Sequence, residues 1–483
     1  MSGLTVMDEV SSVKNSLISI RNKEIKIEHD LWPCPEDKLG RTKEIENLSQ
    51  LLMNAQAPLV FAVEASWGGG KTTFFRLWQQ YLKTEGKVSL YLNAWENDFA
   101  EDPLLPLLST LDKWLSKENN ESKYKKAWVK AKACAPAIAK STAVAAAKAA
   151  TFGAIDIQKE YEKLVSDLAG EAVGGLIDGF NIKQKSLDRF KSQLSIALKA
   201  LPSDQENLIV FVDELDRCRP TYAIEVLERI KHLFDLERLV FVLAINRDQL
   251  SKSFQGLYGP SFDGMHYLKR FIDLDYRLHV PEIGNYIKAR ISQEDIVKLF
   301  RERQQESNDY TFAAELIEFL ARRFNYTVRD IEQFISRFSL VLRSIPSNHY
   351  LETPLLVMLM FLRQEDSSLY YRYTEDTMVA NEALIFLLGG PIESVKLNYQ
   401  LAIAAGCFLA VAREGYGEQV NFNKLIFPWK ERYKDMKERN VANHETDVVI
   451  EWAERRKEYK GRVGMHKITF NRIELVSQID IGM

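Results

Sequence analysis

The sequence predicts an α/β protein: a parallel, doubly wound sheet joined to a separate α-helical domain. Three observations predict it. Two short apolar runs, Pro58–Ala65, with Glu64 its one polar residue, and Leu208–Val212, have the length and composition of strands buried on both faces, as in a parallel sheet. Apolar strands and helical patterns alternate as far as Pro281. Beyond that proline, from Tyr286 to about Tyr433, the periodicity is helical alone.

Taken in order, Thr42 is placed to cap a first helix whose apolar face is Ile45, Leu48, Leu51 and Leu52. The Pro58–Ala65 strand runs into a glycine-rich turn, then a helix holding Phe74, Phe75, Leu77, Trp78 and Tyr81, then a strand over Val88–Trp95. A long helical stretch, Asp102 to Leu201, reads as an insertion. Its end, with Leu187, Phe190, Leu194, Leu198 and Leu201 at helical spacing, leads to the Leu208–Val212 strand. Helix Thr221–Phe234, strand Leu239–Ile245, helix Arg247–Phe254 and strand Ile272–Val280 complete the alternation, and Pro281 closes it. The resulting division is an N-terminal segment 1–38, an α/β core from 39–101 and 202–281, a helical insertion 102–201, a helical lid domain 282–433 and a tail 434–483. The tail's HKITFNRIELVSQI fits a strand or a short helix equally well.

With 483 residues, 46% hydrophobic and 27% charged, the chain has the material for a large core and more than one domain. A net charge of -3 supplies no global attraction for nucleic acid or anionic lipid, so any polyanion binding must be local. The basic stretch ERRKEYKGR near Glu454 reads as a solvated helix face rather than a nucleic-acid channel. Cys34, Cys134, Cys218 and Cys407 lack the spacing of a zinc site or a secreted disulfide framework, and Asp8 and Glu9 interrupt the stretch that a signal peptide keeps apolar. The expected location is the cytoplasm. Within the insertion, AKACAPAIAKSTAVAAAKAATFGAI is alanine-rich, but Lys132, Lys140 and Lys148 break it well short of the roughly 20 apolar residues of a membrane span. Close helix packing, within the chain or in an oligomer, is the expectation, with reversible membrane contact as the alternative.

The turn after the first strand is ASWGGGKTT, whose Gly70-Lys71-Thr72 ends a phosphate-binding pattern in the strand–turn–helix context that the pattern needs. The core is therefore that of a P-loop NTPase. Ser66, Trp67, Gly68, Gly69, Gly70, Lys71, Thr72 and Thr73 form the expected ATP cradle. The glycines let backbone N–H groups converge on phosphate oxygens, and the helix N-terminus adds its dipole. Lys71 would reach the β and γ phosphates, Thr72 suits Mg²⁺, and Thr73 reads as a helix-start residue. Ala65 stands where the pattern has its first glycine, so the loop must begin without a positive φ.

LIVFVDELDRCRP ends its strand in Asp213, Glu214 and Asp216, at the carboxyl end of the sheet where open α/β folds bind ligands. Asp213 is the expected Mg²⁺ residue and Glu214 the expected general base for hydrolysis. Asn246, closing the Leu239–Ile245 strand, is a candidate to touch the γ-phosphate or the lytic water. Charge on that phosphate also calls for an arginine; Arg217, Arg219, Arg247, Arg270 and Arg329 are candidates, with Arg329, at the start of a lid helix, preferred.

With these residues, the chain from Leu39 to about Phe338 resembles the KAP family of P-loop NTPases. NAWEND at Asn93 is similar to that family's Asn-Ala-Trp signature, and DELDRCRP at Asp213 to its Asp-Asp-Leu-Asp-Arg box, with Glu214 in second place. YLKRFIDLDYRLHVP resembles its Tyr-Leu-Glu-Lys-Ile element, with Lys269-Arg270 where Glu-Lys is usual. The resemblance implies an ATPase with a helical lid, membership in bacterial anti-phage defence or phage exclusion, and, in many relatives, membrane segments between the two nucleotide motifs. The expected function is Mg-ATP hydrolysis driving a conformational change or assembly that controls a protein partner, with a homo-oligomer in view. The alternatives are a nucleotide-stabilised scaffold or membrane-associated protein with little turnover, and a nucleic-acid translocase.

Overall fold

A computed structural model describes residues 31–35, 37–116, 122–139, 176–202, 204–279, 282–303, 307–347, 351–415, 419–441, 444–455 and 465–478. The described residues separate into two compact units, one drawn from residues 31–279 and the other from 282–478.

The first unit is built on five strands: β1 Leu59–Glu64, β2 Ser89–Asn93, β3 Leu208–Asp213, β4 Leu239–Ile245 and β5 Leu274–Arg277. All pairings are parallel, in the order β2-β3-β4-β1-β5. The central strands β3 and β4 are buried at every position, as their unbroken apolar sequences require. Eight α-helices accompany the strands in the described part of this unit: α1 Thr42–Met53, α2 Lys71–Thr84, α3 Leu104–Leu115, α4 Ser122–Ile138, α5 Leu176–Leu198, α6 Pro220–Leu233, α7 Arg247–Tyr258 and α8 Gly264–Leu268.

Strand residues alternate between two cores, because successive side chains point to opposite faces of a sheet. Phe61, Val63, Phe211 and Val242 pack with Ile45 and Leu48 of α1 and with Phe74, Phe75 and Trp78 of α2. Val60, Ala62, Val210, Val212 and Leu243 pack instead with α3 to α7. Each buried Val, Leu or Phe among them contributes about 1.5–3 kcal/mol, and each face is held by residues two apart in one strand. Trp78 is fully buried, and its Nε1 is satisfied by Ser49 Oγ at 2.6 Å. The first helix departs from expectation in two respects. Thr42 lies inside α1 and donates from both N and Oγ1 to Asp37 Oδ2, at 2.9 Å each, so Asp37 serves the helix start. Leu51 points outward, 52% exposed.

In the inserted region, Asp112 Oδ1 accepts from Ser116 Oγ, Trp128 Nε1 and Lys132 Nζ, each at 2.6 Å, tying α3 to α4. Trp128, Ala131 and Cys134 share a core with Phe190 and Leu194 of α5. Lys140, Lys148 and the alanine-rich stretch after Ala139 lie outside the described residues. Among the described residues, no helix is long and apolar enough to cross a membrane. All four cysteines are buried, and none forms a disulfide.

The second unit is helical throughout its described residues: α9 Ile283–Ile291, α10 Glu294–Arg301, α11 Ser307–Arg323, α12 Val328–Ser344, α13 Thr353–Glu365, α14 Ser367–Glu375, α15 Ala380–Leu388, α16 Tyr399–Gly415, α17 Gln419–Glu438, α18 His444–Arg455 and α19 Met465–Ser477. Helix α13 buries nine of its residues, Thr353 and all of Leu355 to Leu362, and forms the centre of this unit. A capping box between Thr327 and Asp330 opens α12. Arg290 and Tyr286 of α9 both bind Glu332 of α12, and Arg363 of α13 binds Glu474 of α19. The C-terminal segment that fits strand or helix by pattern is therefore a helix, α19.

Candidate nucleotide site

The phosphate loop lies between β1 and α2. Gly68 and Gly70 have φ of 75° and 83°, a region that residues with a Cβ rarely adopt, and Gly70 is the N-cap of α2. A Cβ on Gly69 would stand 3.0 Å from both Ala65 Cβ and Ser66 O, so a side chain there would push the start of the loop outward. Ala65 is not among the positive-φ residues. Its N–H continues the β1–β4 ladder by donating to Ile245 O at 3.3 Å, which is how the loop starts without a glycine at that place.

Lys71, Thr72 and Thr73 form the first turn of α2. The Lys71 side chain is folded back over the loop, donating from Nζ to Ala65 O at 2.8 Å and Ser66 O at 3.4 Å. Desolvation holds its ammonium below the ordinary lysine value, against the attraction of Asp216 and Asp213. A cation so placed, beside converging backbone N–H groups and a helix N-terminus, is suited to an anion.

Asp213 ends β3, almost completely buried. Its Oδ2 accepts from Tyr91 Oη at 2.9 Å, its Oδ1 from the Glu214 N–H at 2.8 Å, and the Thr72 hydroxyl also bonds to it. Burial pushes this carboxyl up, opposed by the Thr72 and Tyr91 bonds. Thr72 and Asp213 are thus adjacent oxygen donors. Among the described residues no group of three or more His, Cys, Asp or Glu is arranged to hold a metal by itself. A hydroxyl and a carboxylate fit Mg²⁺, which keeps several waters and takes phosphate oxygens.

Glu214 follows in a left-handed conformation, φ 59°, at a cost of about 1–3 kcal/mol for a residue with a side chain. Its Oε2 accepts from Asn93 Nδ2 at 3.2 Å and its Oε1 pairs with Arg217 at 3.0 Å. Burial raises this carboxyl; Arg217 opposes the shift and Asp213 adds to it.

Asn246 follows β4, which separates β1 from β3, so its backbone stands between the loop and the carboxylates. Its Oδ1 caps α7 by accepting from Gln249 N at 3.2 Å. The cap uses the carbonyl oxygen, and the amide is the donor that a phosphate contact would need. Of the candidate arginines, Arg217 also lies over the Trp95 ring, Arg219 pairs with Asp98, Arg247 with Asp275, and Arg270 lies over Tyr267. Arg329 is the second residue of α12, in the other unit.

Lys71, Thr72, Asp213, Glu214 and Asn246 therefore converge at the carboxyl ends of β1, β3 and β4. Tyr91, Asn93, Asp216 and Arg217 join them without having been singled out for these contacts by sequence. Asn93 opens the Asn-Ala-Trp signature, but its contact with Glu214 follows from register, since it pairs with Asp213 across β2 and β3.

A family model described as the KAP family P-loop domain matches residues 41–345. The chain is similar to the phage T7 exclusion protein of Escherichia coli (strain K12), 22% identical over 353 residues, which is 70% of this chain and 46% of that protein. The aligned region is thus less than half of that relative's length. A solved structure, AMPPCP-bound DnaA from Aquifex aeolicus, aligns over 91% of this chain and 95% of its own at 13% identity, with a TM-score of 0.26, too low to carry weight.

Proposed function

The chain belongs to the KAP family of P-loop domains, and from that premise we propose that it binds ATP with Mg²⁺ and hydrolyses it to drive a change of conformation or assembly that controls a protein partner. The observation that carries this reading is the convergence of Lys71, Thr72, Asp213 and Glu214 at one end of the sheet.

In this reading the backbone of Ser66 to Thr73 cradles the phosphates and Lys71 Nζ turns from Ala65 O toward them. Bound Mg²⁺, held through Thr72 and Asp213, supplies charge neutralisation at the phosphates. Glu214, with its carboxyl raised by burial, accepts the proton of an attacking water. Asn246 orients that water or the γ-phosphate through its amide. The similarity to a protein named for phage T7 exclusion supports a role in anti-phage defence, and the cytoplasm is the location that goes with this reading. Residues 39–101 and 202–281 act as the nucleotide core, with 102–201 as its insertion and 282–433 as the lid.

One observation favours a second reading, a nucleotide-stabilised scaffold with little turnover: in this state Asn93 and Arg217 engage both oxygens of the Glu214 carboxylate. Phosphate release by the purified full chain with Mg-ATP decides between them. Turnover above that of a Lys71→Ala control supports the enzyme, and equal release from the two supports the scaffold.

A further inference from the structure

Asp216 takes no part in the chemistry described so far, yet it joins more elements of the site than any other carboxylate there. Its side chain is 2% exposed. A single oxygen, Oδ2, accepts from Trp67 Nε1 at 3.1 Å and from the backbone N–H of Asn246 at 3.1 Å, and lies 3.6 Å from Lys71 Nζ. These three partners come from the phosphate loop, the tip of β4 and the first turn of α2. A buried carboxylate persists only when it is well partnered, so the three are tied to one point. Trp67 is the unexpected member. It is 48% exposed, in a turn where an indole buries little apolar surface, and what fixes it is the bond from its ring N–H to Asp216.

We infer that Trp67 and Asp216 form a latch that ties the phosphate loop to Asn246 and holds the two in one relative position whichever way Lys71 points. Both are positioning residues: they act through the phosphate loop and Asn246 and do not touch the reacting atoms. When Lys71 turns toward phosphate it leaves Asp216, which keeps the Trp67 and Asn246 N–H bonds and holds loop and strand tip in one relative position. The kinetic consequence of the latch rests on the ATPase reading above; the latch itself does not.

The test uses the full chain labelled with ¹⁵N in its tryptophan indoles, eight signals in all, the Trp67 signal being the one lost in Trp67→Phe. Without nucleotide, Asp216→Ala is expected to move that signal to the position of a solvent-exposed indole, whereas Asp216→Asn, which retains an acceptor, moves it less. A Trp67 signal unmoved in both variants overturns the latch. If Asp216→Ala does not fold, Asp216→Asn and Trp67→Phe carry the test. In turnover, Trp67→Phe and Asp216→Ala are each expected to lower kcat about tenfold, the rate equivalent of one charge-assisted hydrogen bond, with KM changed less than about threefold. The double variant should be no slower than Asp216→Ala alone. Multiplying losses, or a rise in KM at constant kcat, overturns the positioning role. A wild type that hydrolyses nothing overturns the ATPase reading, and the indole signal then decides the latch alone.

Discussion

Asn93 donates from Nδ2 to Oε2 of Glu214 at 3.2 Å, across the pairing of β2 with β3. A glutamine in place of Glu214 keeps a carbonyl oxygen for that bond and cannot accept a proton from water. Glu214→Gln should therefore fold normally and bind Mg-ATP, with turnover lower by about 10²–10⁴. Phosphate release and calorimetric titration on the same preparation check both halves; equal release from the two proteins would mean that another group activates the water.

Lys71→Ala should abolish ATP binding, because the loop loses the cation that faces the phosphates. Thermal unfolding provides the measure. Wild type at a hundredfold excess of ATP over Kd should gain about 2.7 kcal/mol, seen as a rise in Tm, and the variant should gain nothing.

Asp213→Asn separates metal from nucleotide. It keeps one oxygen, for either Tyr91 or the Glu214 N–H, and removes the charge beside Thr72. ATP affinity measured with and without Mg²⁺ should show the metal-dependent gain shrinking in the variant, while the affinity in EDTA stays near that of wild type.

Asp112 gives a pH-dependent fastening between α3 and α4. Burial pushes its carboxyl up, but the bonds from Lys132, Ser116 and Trp128 outweigh this and hold it below its ordinary value. A depressed carboxyl contributes stability above its unfolded pKa and loses it as pH falls through the folded one. Urea midpoints of wild type and Asp112→Asn should thus differ at neutral pH and converge below the ordinary carboxylate range. A difference independent of pH would assign the contribution of Asp112 to packing.

The strands were legible wherever burial is two-sided. Leu239–Ile245 appears with the bounds its apolar run suggests, whereas the strand expected over Ile272–Val280 shortens to Leu274–Arg277. That strand is the sheet's edge, and its half-exposed Leu274, with Asp275 and Arg277, carries a weak pattern. The start of α1 was misread because the carboxylate that serves it, Asp37, lies five residues before Thr42. In the candidate site, Lys71, Thr72, Asp213 and Glu214 stand in short local motifs, so their proximity could be anticipated. Tyr91 and Asn93 meet Asp213 and Glu214 only because β2 pairs with β3 over more than a hundred intervening residues. No local pattern encodes such a pairing.

The strand order also bears on how this chain tolerates change. β2 is an outer strand bonded to β3 alone, while β1 is held between β4 and β5. The long excursion that leaves after Asn93 and returns at Leu208 therefore departs from the rim of the sheet. Yet the helices it carries return over the sheet: Leu107 and Leu111 of α3 and Phe190 and Leu194 of α5 share a core with Val60 and Ala62 of β1 and Leu243 of β4. The excursion is therefore a roof as well as a branch, and a change in its packing reaches the two strands that flank the phosphate loop and Asn246.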